Sequence, residues 1–236
     1  MTQSIDTAKA ILLVGASRGL GSAIAAEFLK RGWSVVGTVR GTARTELHDL
    51  ADRYPYRLEI ETVDITVASQ IAGLRDRLAG RSFDILFSNA GTADKDQSET
   101  IAEVSTEEFI HVMVTNALGP MRVIEALEGL VPPDGLIGVM SSGQGSVADN
   151  ETGGHEVYRG TKSALNQYMR CYAARNANGR RALALIAPGW VRTDLGGPRA
   201  PLGIEDSIPG VVDTLLAKQS RPGLEYLDRK GQTVPW

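Results

Sequence analysis

Tyr158 and Lys162 stand four residues apart in the run Tyr-Arg-Gly-Thr-Lys, sixteen residues after Ser142. A free phenol titrates near pH ~10, too high for ready proton exchange at neutral pH. A neighbouring ammonium favours the phenolate and lowers that value. On a helix of about 3.6 residues per turn, positions i and i+4 share a face, so the two side chains would point the same way. An upstream serine hydroxyl can hold a carbonyl oxygen against the phenol. These groups make a proton-transfer device, provided the fold supplies something to transfer with the proton.

Spacing alone does not single the pair out. Tyr226 and Lys230 repeat it in Tyr-Leu-Asp-Arg-Lys, between Pro222-Gly223 and Gly231 and without a helical apolar stripe. That second pair reads as a strand end followed by a turn. Position along the chain must separate the two.

The surrounding elements give that position. Ala10–Val14 is a short apolar run ending at a glycine, and reads as a buried strand. Residues 19–31 carry Leu20, Ile24, Phe28 and Leu29 at helical spacing, and Ser34–Val39 is the next strand. Helices around Leu47, Leu50 and Ala51 and around Ile71, Leu74 and Leu78 flank a strand over 57–63, and Asp84–Phe87 is a fourth strand. A long helix over 105–130 precedes the strand Leu136–Met140; a helix over 156–178 carries Tyr158 and Lys162, and Ala182–Ile186 follows as a sixth strand. Strands alternating with helices predict an α/β fold whose mostly parallel sheet is covered on both faces. Six or seven strands use the whole chain, so residues 1–236 are expected to form one doubly wound Rossmann domain.

Composition narrows the classes of function. The chain has 236 residues, 42% hydrophobic and 22% charged, as ordinary water-soluble proteins do. A formal charge of −3 offers no electrostatic footprint for nucleic acid or an anionic membrane. No apolar run approaches the ~18 residues of a membrane span. The N-terminus lacks a basic segment followed by an apolar one, and a cytoplasmic location is the expectation. Cys171 is the only cysteine, which excludes an intrachain disulfide; among Met169, Tyr172 and Ala173 it is expected to be packed and inert. His48, His111 and His155 are scattered, and no metal site is expected.

The first strand runs into Gly15-Ala16-Ser17-Arg18-Gly19-Leu20-Gly21 and then into a helix. Glycines at such a turn let the backbone bend sharply and approach a pyrophosphate, which the helix N-terminus stabilises. The end of the second strand tells the dinucleotides apart. A site selective for NAD would place a carboxylate there for the ribose 2′-hydroxyl. The chain has Thr38-Val39-Arg40 instead, with no carboxylate before Glu46. Arg40 and Arg18 can form charge-assisted bonds to a 2′-phosphate, so NADP(H) is the expected cofactor.

Taken in order, these motifs resemble the short-chain dehydrogenase/reductase family over essentially the whole chain. Gly15, Ser17, Arg18, Gly19, Leu20 and Gly21 resemble its coenzyme loop, and Asp64 with Ile65 resembles the segment that contacts the adenine. Ser88-Asn89-Ala90-Gly91 is similar to the family's Asn-Asn-Ala-Gly turn, and Pro188-Gly189, Val191 and Thr193 to the segment that seats the nicotinamide carboxamide. Asn116, Ser142, Tyr158 and Lys162 match its catalytic tetrad. The departures are Val14 where the family has threonine, Ser88 for the first asparagine, and a longer gap between Ser142 and Tyr158. The residues filling that gap are similar to the C-factor-like and sniffer-like carbonyl reductase branch.

The resemblance implies transfer of a hydride to a ketone or aldehyde, or the reverse oxidation of an alcohol, with Tyr158 as acid and base. Ser142 would hold the carbonyl oxygen, Lys162 would lower the tyrosine pKa and hold the nicotinamide ribose, and Asn116 would anchor a water of the proton relay. Small-molecule carbonyls or alcohols are the expected partners. Substrate walls are expected at 143–156, at Thr92–Lys95 and in a mobile lid over 189–210. The resemblance also implies a homodimer or homotetramer built on the helices over 105–130 and 156–178. Two other readings stay open: an NADP(H)-binding signalling protein of C-factor type, and a nucleotide-sugar epimerase or dehydratase. The second lacks the ~80–100 additional residues of a sugar-binding subdomain.

Overall fold

The computed structural model describes residues 9–236; the N-terminal segment on which the absence of a leader was read lies mostly outside them. Seven strands form one all-parallel sheet: β1 (Ala10–Val14), β2 (Ser34–Val39), β3 (Leu58–Thr62), β4 (Ile85–Ser88), β5 (Leu136–Met140), β6 (Ala182–Ala187) and β7 (Gly223–Asp228). The helices are α1 (Gly19–Lys30), α2 (Glu46–Arg53), α3 (Ala68–Arg77), α4 (Thr106–Met113), α5 (Gly119–Leu127), α6 (Glu156–Arg175) and α7 (Ile204–Gln219).

Both faces of the sheet are covered, which is why its strands read as unbroken apolar runs. Alternate residues of β1 serve opposite cores. Ile11 and Leu13 pack with Ile24 and Phe28 of α1, Leu47 of α2 and Val211 and Leu215 of α7. Leu12 and Val14 face Ile71 and Leu74 of α3, Ile124 of α5 and Leu165 and Met169 of α6. No helix among the described residues is long and apolar enough to cross a membrane.

The strand order is β3-β2-β1-β4-β5-β6-β7, so the chain reverses direction of travel between β1 and β4. That switch point opens a crevice beyond the carboxyl ends of the strands, where doubly wound sheets take their ligands. Strand register brings the ends level: Val14 pairs with Ser88, Ser88 with Val139, and Met140 with Ile186. The segments beginning at Gly15, Asn89, Ser141 and Pro188 therefore leave the sheet along one rim.

Two expected elements differ in detail. The helix expected over 105–130 is α4 and α5 joined by a π-helical turn over Val114–Leu118, with a short 3-10 turn at its end. The segment 189–210, expected to be a lid without regular structure, enters α7 at Ile204. Pro209-Gly210 looks like a helix breaker in sequence. In the fold Gly210 lets α7 cross the turn after β7, where a Cβ would lie 2.4 Å from the Arg229 carbonyl oxygen.

Candidate active site

The glycine loop after β1 is shaped by contacts only glycine permits. Gly15 adopts φ +89°, and a Cβ on it would lie 2.6 Å from the backbone of Ala90. Asn89 bridges the two turns by donating from Nδ2 to the Gly15 carbonyl at 2.7 Å, and its backbone N–H bonds the Val14 carbonyl at 2.8 Å. Val14 has no hydroxyl to offer, and Thr38 on β2 serves instead, accepting from the Gly15 N–H at 3.0 Å. Ser88 stands with its buried hydroxyl unpartnered.

Asn116 sits in the π-helical turn and is fully buried. A widened turn of this kind is frequent at functional sites, because it re-aims one side chain without ending the helix. Here the amide clamps the loop after β4: Oδ1 accepts from the Thr92 N–H at 2.8 Å and Nδ2 donates to the Thr92 carbonyl at 2.8 Å. The second Nδ2 proton goes to Thr161 Oγ1 at 3.0 Å, and Thr161 donates to the Tyr158 carbonyl at 2.8 Å. Both amide protons are thus used on protein, leaving only acceptor capacity on Oδ1 for a water.

Tyr158 and Lys162 lie one turn apart on α6, which starts after three left-handed residues, Gly153, Gly154 and the non-glycine His155 at φ 52°. The Ser142 side chain is near enough to the phenol to act on its pKa. Burial pushes the Tyr158 pKa up to about 12, with Ser142 pulling the other way and Tyr226 adding to the rise. Burial also lowers Lys162 to about 8. Its Nζ donates to the Met140 carbonyl at 2.9 Å and stands 5.7 Å from the Tyr158 ring centre. The lowering of the tyrosine pKa expected from Lys162 does not set its net direction in the cofactor-free protein. Desolvation wins, since the ammonium bonds a backbone carbonyl and not the phenolic oxygen.

Ser142 lies two residues past the end of β5 and caps a 3-10 turn, its Oγ accepting from the Gln144 N–H at 3.2 Å. Ser141 is buried and donates to Asn166 Oδ1 of α6 at 2.6 Å. Between Asn116 and Lys162 lies Gly91, where a Cβ would be 3.3 Å from Asn116 Oδ1 and 3.5 Å from Lys162 Nζ. The four expected catalytic residues therefore converge at the rim, next to the glycine loop.

Residues 15–203 match a family model described as enoyl-(acyl carrier protein) reductase, one of the short-chain dehydrogenase/reductase models. The chain belongs to the short-chain dehydrogenase/reductase family. A solved member from Burkholderia multivorans with bound NADP is 66% identical, with a TM-score of 0.97 over 98% of this chain and 100% of that one. The carbonyl reductase Sniffer of D. melanogaster is 27% identical, with a TM-score of 0.86 over 98% of this chain and 100% of its own. The C-signal of Myxococcus xanthus is 32% identical over 155 residues, 65% of this chain and 92% of that protein. The expected kinship with the C-factor-like and sniffer-like branch holds.

The cleft of this short-chain dehydrogenase/reductase fits a nicotinamide dinucleotide. Gly15, Gly19 and Gly21 put no side chain over the N-terminus of α1, and Gly91 keeps open the gap beside Lys162 that a side chain would fill. Thr193 faces the glycine loop across the crevice: a Cβ on Gly19 would be 3.7 Å from its methyl group. Val191 is buried and bridged to Leu202, and the Pro188 carbonyl is fixed by Ser207 Oγ at 2.7 Å. Burial acts against the Asp64 carboxylate, yet two hydrogen bonds from Thr66, with Arg40 and His111 nearby, hold its pKa below the usual value.

The two arginines expected at the 2′-phosphate differ. Arg40 is exposed at the end of β2, whereas Arg18 forms an exposed ion pair with Asp194 at 3.0 Å. Glu46, the first carboxylate after β2, accepts from the Gly19 N–H at 3.2 Å and the Ser22 hydroxyl at 2.5 Å. Sequence reading did not find that contact. The residues after β6 are tied to one another, with Trp190 Nε1 donating to the Gly196 carbonyl at 2.7 Å and Arg192 to those of Ala200 and Pro201 at 3.0 Å. No metal-ligating cluster occurs among the described residues. Cys171, expected to be packed, is exposed on α6.

Proposed function

We propose that this short-chain dehydrogenase/reductase is an NADPH-dependent carbonyl reductase. The observation that carries this reading is the meeting of Tyr158, Ser142 and Lys162 at the rim of the crevice beside the glycine loop. NADPH, when bound, supplies a hydride to the carbonyl carbon. Gly15, Ser17, Gly19, Leu20 and Gly21 would hold its pyrophosphate, Asp64 and Ile65 the adenine, and Asn89, Ala90 and Gly91 the adjoining ribose. Pro188, Gly189, Val191 and Thr193 would seat the carboxamide.

The residues of the chain do the proton chemistry. Ser142 donates its hydroxyl to the substrate oxygen and fixes it against the phenol. Tyr158, protonated at neutral pH as a phenol ordinarily is, gives its proton to that oxygen as the carbon–oxygen double bond becomes a single bond. The phenolate left behind is favoured by the Ser142 hydroxyl and by the charge of Lys162. Lys162 also holds the nicotinamide ribose, and Asn116 Oδ1 offers the remaining acceptor site for a relay water. The reverse sequence oxidises an alcohol.

Selectivity for NADPH would follow from Arg40 after β2, where no carboxylate precedes Glu46 to hold a ribose 2′-hydroxyl. The likeness to Sniffer supports a carbonyl substrate. The likeness to the C-signal supports a second reading, an NADP(H)-binding signalling protein with little chemistry. A panel of aldehydes and ketones assayed with NADPH and NADH separates the two. Turnover with NADPH is expected; tight NADPH binding without turnover on any carbonyl favours the signalling protein. The homo-oligomer belongs to the same proposal, with Ile110, Leu118 and Tyr168 exposed on α4, the π-helical turn and α6. Light scattering tests it, and a monomer at micromolar concentration contradicts it.

A further inference from the structure

We propose that Tyr226, on the far strand of the sheet, is a positioning residue that sets the place of the Ser142 hydroxyl through the Ser142 main chain. The role rests on the reading of Ser142 as the group that holds the substrate oxygen. Tyr226 is the member of the second Tyr-x-x-x-Lys pair that spacing alone cannot distinguish from the first. It lies on β7 opposite Leu185 of β6 and is 1% exposed. Its hydroxyl crosses beneath the rim and donates to the carbonyl oxygen of Ser142.

That carbonyl takes a second bond, from the Gly145 N–H at 2.8 Å, which closes the turn after β5. Both acceptor sites of the Ser142 carbonyl are therefore filled, one from within the turn and one from β7. The other end of the turn is held as well. The Gly145 carbonyl accepts from Asn166 Nδ2 at 3.1 Å and from Ser163 Oγ at 3.0 Å. Gly145 is packed so close to α6 that a Cβ would stand 2.9 Å from Asn166 Nδ2 and 3.0 Å from Lys162 Cβ. Asn166 also receives the Ser141 hydroxyl at 2.6 Å, which ties the residue before Ser142 to α6. One buried polar network thus joins β7, the end of β5 and the helix that carries Tyr158 and Lys162.

Tyr226 is itself well placed to act as a fixed point. Its carbonyl accepts from the Val234 N–H at 2.9 Å, and its ring packs on Trp236 with centres 5.4 Å apart. The Trp236 carbonyl takes the Ala148 N–H at 2.9 Å, so the chain's last residues grip the wall that follows Ser142. A phenylalanine at 226 would fill the same space and keep the ring contact. Only the tyrosine hydroxyl reaches the Ser142 carbonyl, and a buried phenol needs such a partner. A shift of about 1 Å in a reacting group costs up to about 100-fold in rate.

The test compares wild type with Tyr226→Phe, each alone and combined with Ser142→Ala. Tyr226→Phe is expected to bind NADPH within about twofold of wild type while kcat on a reduced carbonyl falls about 10- to 100-fold. In the Ser142→Ala background, which has no hydroxyl to place, Tyr226→Phe should remove nothing further from the residual kcat/KM. Equal losses in both backgrounds, or no loss in the first, overturn the proposal. Crystal structures of the same two proteins with NADPH give an outcome independent of turnover. The Ser142 turn should move in Tyr226→Phe while the ring stays in place; an unmoved Ser142 Oγ overturns positioning. If wild type reduces no carbonyl, the functional reading fails, and the crystal structures still decide the role of Tyr226.

Discussion

Lys162 and Tyr158 are close without being bonded: the ammonium stands 5.7 Å from the phenol ring centre and donates to the Met140 carbonyl 2.9 Å away. Lys162 is buried and Tyr158 half-buried, and desolvation moves their pKa values in opposite directions, Tyr158 up to about 12 and Lys162 down to about 8. The fold pays in stability for a charge placed where the reaction develops an opposite one.

Replacing Lys162 with methionine should therefore abolish turnover yet stabilise the cofactor-free protein by about 1–3 kcal/mol at pH 7. The sign follows from linkage. A lysine whose folded pKa is about 8, against 10.5 unfolded, binds fewer protons in the folded state between those values, so wild-type stability gains with pH across that window. Urea unfolding should show the advantage of Lys162→Met shrinking from pH 8 to pH 10. A variant less stable than wild type at pH 7 contradicts the account.

Tyr158→Phe should lower kcat by about 100-fold to 10,000-fold, the range of a lost general acid. NADPH affinity, followed by fluorescence, should change by less than about threefold, because the phenol is not the group that holds the pyrophosphate or adenine. Retained turnover would remove Tyr158 from the chemistry.

Arg40→Ala should weaken NADPH binding about 10- to 100-fold, the worth of a charge-assisted bond to a 2′-phosphate, and leave NADH nearly unchanged. Calorimetry with both cofactors measures it. Arg18→Ala should have the smaller effect, since Arg18 is paired with Asp194. Equal losses for both cofactors would place Arg40 away from the phosphate.

Gly15→Ala should destabilise the fold by about 2 kcal/mol or more and weaken cofactor binding. The position combines φ +89° with a Cβ only 2.6 Å from the Ala90 backbone, so the two turns must part to admit it. Thermal unfolding and a cofactor titration test both parts. A variant as stable as wild type would show that the turns are not in contact.

Much of this was legible in the sequence, because alternation of apolar runs and helical stripes reports a sheet buried on both faces. The glycine loop and the pair on α6 were legible from residue type and spacing, and Asn89 to Gly91 from the resemblance to the family. What escaped depends on tertiary contacts. The π-helical turn around Asn116 has the composition of the helices on either side. The helix α7 was hidden by Pro209-Gly210, a pair whose glycine answers to the Arg229 carbonyl across the fold. Cys171 lies one residue before buried Tyr172 and two after buried Met169, off the apolar stripe of α6 by about 100° per residue. Tyr226 was passed over because its partner, the Ser142 carbonyl, is 84 residues away.

Tyr158 and Ser142 are proposed to serve the reduction of a carbonyl by NADPH. Incubation with NADPH deuterated at the transferable position of the nicotinamide, and a carbonyl from the panel, tests it most directly. One deuterium on the carbinol carbon of the product alcohol, absent with Tyr158→Phe, is the predicted result. Tight NADPH binding with no labelled alcohol from any aldehyde or ketone would contradict it.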